Sequence, residues 1–403
     1  MRPITDDEWP AYWGVLAQAF HDDFRQDESD FEREVFEPER SLAVFDGDQP
    51  VATTGAYSRD LTIPGVVTRA AHVSMVAVRA THRRRGLLTR MMRQQLRDVQ
   101  AAGVEPIAAL WASEETIYGR YGYGPASYGM AISADTREMT LLPRAVPSGR
   151  LRLVDPNEAA GDLAAVYDRA RPERPGFSSR HGVWWRYRLT DVERHRKGAT
   201  SRRCVVHEDA SGVTGYALWR SKPAWDRTGP NHEIAVEEIV CPDPDARAEL
   251  WRFLFNIDLS RKVSAANLAV DEPLFRTVNA PRRLSRQHGD GLFVRIVDLP
   301  NALAARRYAA PVDLVLDVTD ELLPENAGRW RLIGDGEKAT CERVDGPADL
   351  TLDVRELGAL YLGGTSAGSL ASAGLLTERR SGALAAASAG FGWHVAPHAP
   401  EVF

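Results

Sequence analysis

Two stretches of this chain share one outline, and that outline limits the possible folds more than any other feature. From Ala71, AHVSMVAVRATHRRRGLLTRMMRQQL is an apolar run, a polar loop, and then apolar residues at helical spacing (Leu87, Leu88, Met91, Met92, Leu96, Val99). From His232, HEIAVEEIVCPDPDARAELWRFLFNIDLS repeats the order: apolar run, short loop, helix. A strand–loop–helix unit that occurs twice reads as an internal repeat of one supersecondary unit. At 403 residues the chain has room for both and for a third domain.

The two loops differ in chemistry. The first offers Arg83-Arg84-Arg85-Gly86; the second offers Asp243, then Asp245-Ala246-Arg247-Ala248. The start of a helix carries unpaired N–H groups and the positive end of the macrodipole, which suits a pyrophosphate. The arginines of the first loop add counter-charge, and Gly86 removes a Cβ from the approach. Spacing alone leaves a second reading open, a solvated basic run before a surface helix. There is no Gly-Lys-Ser/Thr and no GxGxxG, so neither the P-loop nor the dinucleotide fingerprint applies. If the first loop binds an anion, the second should not.

Other elements follow from local signals. Thr5 with Glu8 before Trp13, Leu16 and Phe20 predicts a helix near 6–20. Residues 41–58 predict two strands around Asp46-Gly47-Asp48, and 71–79, 105–112 and 127–135 predict three more. A Pro/Gly linker is expected at 143–150 (PRAVPSGR), with a helix from Pro156 to Arg171 beyond it. The last segment predicts strands near 292–298, 312–318, 329–333, 338–343 and 349–353. Its Ala/Gly/Ser-rich end (Leu357, Leu360, Leu370, Leu375, Leu376) predicts short amphipathic helices rather than disorder.

Val76-Ala77-Val78 followed by Arg83-Arg84-Arg85-Gly86-Leu87-Leu88 resembles the acetyl-CoA signature of the GCN5-related N-acetyltransferases. Taken with THRRRGLL, ASEETIYGRYGYGPA and a C-terminal Phe, the whole chain resembles the enhanced intracellular survival (Eis) acetyltransferases. The resemblance implies an α/β (α+β) chain of tandem GCN5-related folds followed by a sterol-carrier-like α+β domain. The domains expected are 1–145 (catalytic), 146–288 (degenerate copy) and 289–403 (sterol-carrier-like, ending in the active-site carboxylate).

The resemblance also assigns roles. Val76, Ala77 and Val78 would pair with the pantetheine arm of acetyl-CoA. Arg84, Arg85, Gly86, Leu87, Leu88 and Thr89 would hold its pyrophosphate, with Ser113 and Glu114 as further contacts. Tyr118 matches the general acid and the carboxylate of Phe403 the general base; Tyr121, where the family commonly has Phe, competes for the acid role. Asp22, Asp23 and Glu401 are the candidates for binding a cationic substrate, although Glu401 is displaced by one position from the family's pattern. The activity implied is acetyl transfer to primary amines of aminoglycosides or related cationic amines. The alternatives are a lysine- or polyamine-specific acetyltransferase and a non-catalytic lipid-binding or scaffold protein. The family's assembly implies a homo-oligomer, a hexamer.

Composition sets further expectations. A net charge of −6 argues against a nucleic-acid partner. Three dispersed cysteines (Cys204, Cys241, Cys341) in no CxxC pair argue against a metal site or a disulfide framework and fit a reducing cytoplasm. MRPITDDEWP lacks the apolar core of a signal peptide, and no apolar run is long enough to span a membrane. A cytoplasmic enzyme with a small-molecule partner and no membrane partner is expected.

Overall fold

The computed structural model describes residues 1–143 and 149–403, in two compact units. The first comprises Met1–Ser127, Pro175–Ser179 and Gly291–Phe403; the second comprises Tyr128–Arg174 and Arg180–Asp290. The boundary expected at 145/146, with most of the expected linker, lies outside the described residues.

In the first unit, α1 (Trp9–Ala19) follows a 3-10 turn in which the Glu8 carboxylate accepts the Thr5 N–H at 2.9 Å. A second helix, α2 (Gln26–Arg33), was not expected; its strongly polar sequence hides it. Strand β1 (Leu42–Asp46) pairs with β2 (Gln49–Ile63), and β2 turns through Pro64-Gly65 into β3 (Val66–Val78). This hairpin is longer than the sequence suggested, because the polar residues of Arg59–Arg69 break the alternation that signals a strand. Helix α3 (Leu87–Ala102) ends at Gly103, whose φ of +64° is the left-handed stop expected of a C-terminal glycine. Strand β4 (Ile107–Trp111) then runs parallel to β3.

The strands after β4 are distributed differently from expectation. Strand Leu292–Ile296, assigned by the sequence to the third domain, pairs antiparallel with β4 and lies inside the first sheet, with Gly124–Pro125 on its other side. Strand Tyr128–Asp135, assigned to the first domain, pairs instead with Ser260–Ala269 in the seven-stranded sheet of the second unit. Burial alternation finds a strand but not its partner, which is why sequence order misplaced both.

The rest of the first unit is a five-stranded sheet (Ala339–Arg343, Gly328–Gly334, Val312–Thr319, Leu350–Asp353, Leu376–Glu378) with helices Val354–Leu360, Ala367–Ser372 and Ala383–Phe391. Most of the Ala/Gly-rich tail is thus helical, as expected around Leu357, Leu360 and Leu370, but Leu376 lies in a strand and Leu375 in the turn before it, where the sequence predicted helix. Its core is continuous with that of the first sheet: Leu61, Ile107 and Val294 pack in the same cluster as Leu314, Leu352 and Leu360. Buried Tyr308, Tyr361 and Phe391 surround the Arg306 guanidinium, which donates to the main-chain oxygens of Tyr361 (2.8 Å) and Phe391 (2.9 Å). Among the described residues no helix is long and apolar enough to cross a membrane.

Candidate active site

The site begins where β3 and β4 part. Their parallel ladder runs from Ala70↔Ile107 to His72↔Ala109 and stops. Beyond it, Leu110 and Trp111 stay paired with Phe293 and Leu292, while β3 continues to Val78 with, among the described residues, only β2 paired beside it. Val76, Ala77 and Val78 therefore lie on a strand with one open edge, the arrangement an extended amide-bearing ligand can complete. A bulge sits just before them: Thr53 pairs with Ala77 but Gly55 pairs with Ser74. Met75 takes φ +56° there, and the Thr53 hydroxyl donates to its carbonyl at 2.9 Å. A left-handed conformation is costly for a non-glycine residue, and bulges concentrate beside active sites.

The loop after β3 ends in the N-terminus of α3. Arg84 (φ +61°) and Gly86 (φ +74°) are both left-handed. A Cβ on Gly86 would meet nothing within 4 Å, so this structure requires glycine for its backbone conformation rather than for space. The first intrahelical bond is Arg90 N–H to Gly86 O at 3.0 Å, so the amides of Leu87, Leu88 and Thr89 have no partner within the helix. Arg83, Arg84 and Arg85 are exposed around them.

The second copy is closed at the corresponding place. In helix Pro244–Phe255 the Asp243 carboxylate accepts the N–H groups of Asp245 (3.1 Å) and Ala246 (2.7 Å), so the first turn already has its anion. Arg247 is turned inward onto buried Glu272. The expected contrast between the loops is thus built into their geometry.

Tyr118 ends the short helix Glu115–Tyr118 and packs with Val73, Leu110 and Phe293, with Val76 and Leu88 at the edge of the same cluster. It therefore sits among residues from both diverging strands and from the start of α3. Its hydroxyl has no hydrogen-bond partner among the described residues. Burial, with smaller contributions from Tyr121 and Glu114, pushes its pKa up to about 12. Tyr121 is tied elsewhere, its hydroxyl bonded to that of Thr89 at 3.2 Å. Ser113 and Glu114 are exposed in the turn between β4 and this helix.

The chain end arrives at the same split. Ser74 Oγ donates to the main-chain oxygen of Phe403 at 3.1 Å, and the Phe403 ring lies 4.6 Å from that of His72. His72 is fully buried. Its Nδ1 contacts the Ala70 carbonyl (3.0 Å), which can only accept, so Nδ1 carries the proton and Nε2 accepts from Ser178 Oγ (2.8 Å). Burial, with the Arg59 charge second, lowers the His72 pKa to about 3, so the ring is neutral.

Glu401, expected at the substrate, is ion-paired within the chain. Its carboxylate pairs with the buried Arg59 guanidinium, which also donates from Nε to Ser179 O at 2.8 Å. This ion pair ties the tail to β2. Asp22 and Asp23 are exposed in the turn between α1 and α2, flanked by exposed Phe20 and Phe24. The sequence reading missed Ser74, His72 and Arg59. Ser74 lies two residues before Val76, but its partner is 329 positions away. The three cysteines are all buried, and burial pushes each thiol up to about 12, which leaves them unreactive.

Comparison with known proteins identifies the domains. Acetyltransferase (GNAT) domain families match residues 1–126 and 176–296, and the sterol carrier protein domain family matches 299–400. An uncharacterized N-acetyltransferase of Streptomyces coelicolor is 44% identical over 100% of this chain and 99% of its own. N-acetyltransferase Eis of Mycobacterium tuberculosis is 36% identical, covering 96% of this chain and 95% of its own. The crystal structure of Eis1 from Mycobacterium abscessus superposes with a TM-score of 0.86 at 30% identity, covering 100% of this chain and 99% of that one. A GCN5-related N-acetyltransferase from Anabaena variabilis shares the fold at 19% identity, with a TM-score of 0.85 over 100% of this chain and 99% of that one. With two acetyltransferase domains, a sterol-carrier domain and whole-length relatives, this chain is an acetyltransferase and belongs to the Eis family of GCN5-related N-acetyltransferases.

Proposed function

We propose that the first repeat transfers the acetyl group of acetyl-CoA directly to a primary amine of a small cationic substrate, with the Phe403 carboxylate as general base and Tyr118 as general acid. The observation that carries this reading is the Ser74–Phe403 hydrogen bond: a chain terminus is held on β3 two residues past the point where it leaves β4. A frayed tail would have no reason to be there.

The cofactor's thioester supplies the acetyl group. The open edge at Val76, Ala77 and Val78 holds the amide-bearing arm. The Arg84, Arg85, Gly86, Leu87, Leu88 and Thr89 turn takes the pyrophosphate on amides and guanidiniums, with Ser113 and Glu114 as further contacts. The Phe403 carboxylate accepts a proton from the substrate ammonium, directly or through water, freeing the lone pair that attacks the thioester. As the C–S bond breaks, Tyr118 gives its proton to the departing sulfur, and the second proton, shed by the newly acylated nitrogen, restores the phenol through water, leaving an amide, a free thiol and one proton on the carboxylate. A phenol with pKa about 12 is fully protonated at neutral pH and ready for that step. No cysteine is placed to form an acetyl-enzyme, which favours direct transfer.

Asp22 and Asp23, beside Phe20 and Phe24, present the charge and apolar surface that an aminoglycoside, a polyamine or a lysine side chain requires. The aminoglycoside reading leads because Eis is among the whole-length relatives. The lipid-carrier alternative has less support, since Tyr308, Tyr361 and Phe391 fill the interior around Arg306. The chain is read as a homo-hexamer of the cytoplasm, and light scattering in solution tests the assembly. The activity is tested by thiol release from acetyl-CoA with aminoglycosides, polyamines and a lysine peptide. Turnover with the first group and little with the peptide is expected. Turnover with the peptide alone would replace the substrate class, and silence across the panel would remove the catalytic reading.

A further inference from the structure

Residues Pro175–Ser179 are flanked in sequence by the second unit but belong to the first. They run antiparallel along β2 as a short added strand. Gly176 N–H donates to Thr62 O (2.8 Å), Thr62 N–H to Phe177 O (2.8 Å), and Ser179 N–H to Asp60 O (2.9 Å), with Leu61 bridged to Ser178.

Each of the five residues also reaches the C-terminal tail, or a side chain that holds it. Pro175 O accepts the His398 N–H at 2.8 Å. Gly176, at φ +99°, lies against the same residue, and a Cβ there would stand 2.7 Å from His398 O. The Phe177 ring meets the His398 ring edge-on, centroids 6.2 Å apart. Ser178 Oγ fixes His72 at 2.8 Å, and the His72 ring packs on Phe403. Ser179 O accepts from Arg59, whose guanidinium pairs with Glu401. A tail with only Ser74 to hold it would lose most of this order.

We propose that segment 175–179 is the positioning element for the terminal carboxylate, so that catalysis in the first repeat depends on a segment of which four residues, Gly176–Ser179, belong to the stretch matched to the second. Gly176 and Ser178 are its positioning residues. The degenerate repeat then has a part in the reaction without binding acetyl-CoA. This inference rests on the proposed base role of Phe403. Effective general-base catalysis requires the carboxylate within hydrogen-bond reach of the amine proton, and a misplacement of about 1 Å costs up to about 100-fold.

The test uses the full chain with Ser178→Ala and Gly176→Ala, each also made in a chain lacking Phe403. Ser178→Ala removes one hydroxyl, so it keeps the test valid should Gly176→Ala fold poorly. In the intact chain both substitutions should lower kcat by about 10- to 100-fold. The KM for acetyl-CoA and the thermal stabilisation by acetyl-CoA should stay within about twofold, because the α3 loop is untouched. In the chain lacking Phe403, Ser178→Ala should have no further effect on rate. If removal of Phe403 abolishes activity while Ser178→Ala and Gly176→Ala keep the full kcat, the positioning role is overturned and the base role stands. An equal loss from Ser178→Ala with and without Phe403 also overturns it, since the serine would then act independently of the carboxylate. Full activity without Phe403 removes the base role and the positioning role together.

Discussion

Ser74 Oγ and the main-chain oxygen of Phe403 are 3.1 Å apart, joined by a hydrogen bond that spans 329 positions of sequence. It holds the main-chain oxygen of Phe403, whose carboxylate is the proposed base, on β3 two residues past its last pair with β4, next to the strand edge expected to hold the acetyl donor. A hydrogen bond to a charged group contributes about 1.5–3 kcal/mol. Ser74→Ala is therefore expected to lower kcat by roughly tenfold while leaving acetyl-CoA binding intact. Steady-state kinetics check this, and an unchanged kcat would show that the bond does not position the base.

Tyr118 and Tyr121 compete for the acid role by sequence but differ in structure. Tyr118 has no hydrogen-bond partner among the described residues, whereas the Tyr121 hydroxyl is on Thr89. Tyr118→Phe should lower kcat by about 100-fold, with the acetyl-CoA thermal shift retained. Tyr121→Phe should cost only a few-fold. The opposite pattern would transfer the role. Because the Tyr118 pKa is about 12, its ionisation should not produce a loss of rate below about pH 11.

His72 links stability to pH. Its folded pKa, about 3, lies below the ordinary value of 6.5. In that interval the unfolded chain binds a proton that the folded chain does not. Stability is unaffected above about pH 6.5 and falls below it, by up to about 1.4 kcal/mol per pH unit. His72→Asn should flatten this part of the curve in denaturant melts between pH 4 and 7, whatever it does to the baseline. An identical slope in the variant would contradict the assignment.

The two helix starts predict a stoichiometry. Gly86 leaves the first turn of α3 open, while Asp243 fills that of its counterpart. Titration calorimetry should find one acetyl-CoA per chain, and two would contradict the closed second site. Asp243→Ala should destabilise the protein by about 1 kcal/mol without changing the rate.

The sequence made part of this legible. The helical spacing of Leu88, Met92 and Leu96 placed α3, and the contrast between Arg84-Arg85-Gly86 and the acidic loop at Asp243 marked the second loop as the one that should not bind an anion; that Asp243 caps its helix came from the structure. Tyr118 and Phe403 came from resemblance, because no local pattern separates a general acid from a core tyrosine or a base from a loose end. Three features were out of reach for one reason: their partners are distant in sequence. The ladder of Leu292–Ile296 with β4, the ladder of Tyr128–Asp135 with Ser260–Ala269, and the contacts of Pro175–Ser179 with the tail each join distant segments. The left-handed Met75 was illegible for another reason, since methionine carries no signal for that conformation and the bulge is fixed by Thr53 across the strand. Glu401 was read as open charge because its partner, Arg59, lies on β2.

The most direct test is the single-turnover rate of acetyl transfer in the intact chain and in one ending at Val402, both saturated with acetyl-CoA and an amine shown to be a substrate. Shortening by one residue leaves the α3 loop and Tyr118 in place and withdraws the carboxylate from Ser74. A loss of at least about 100-fold is expected, with acetyl-CoA affinity unchanged. A shortened chain that transfers acetyl at the intact rate would contradict it and place the base elsewhere.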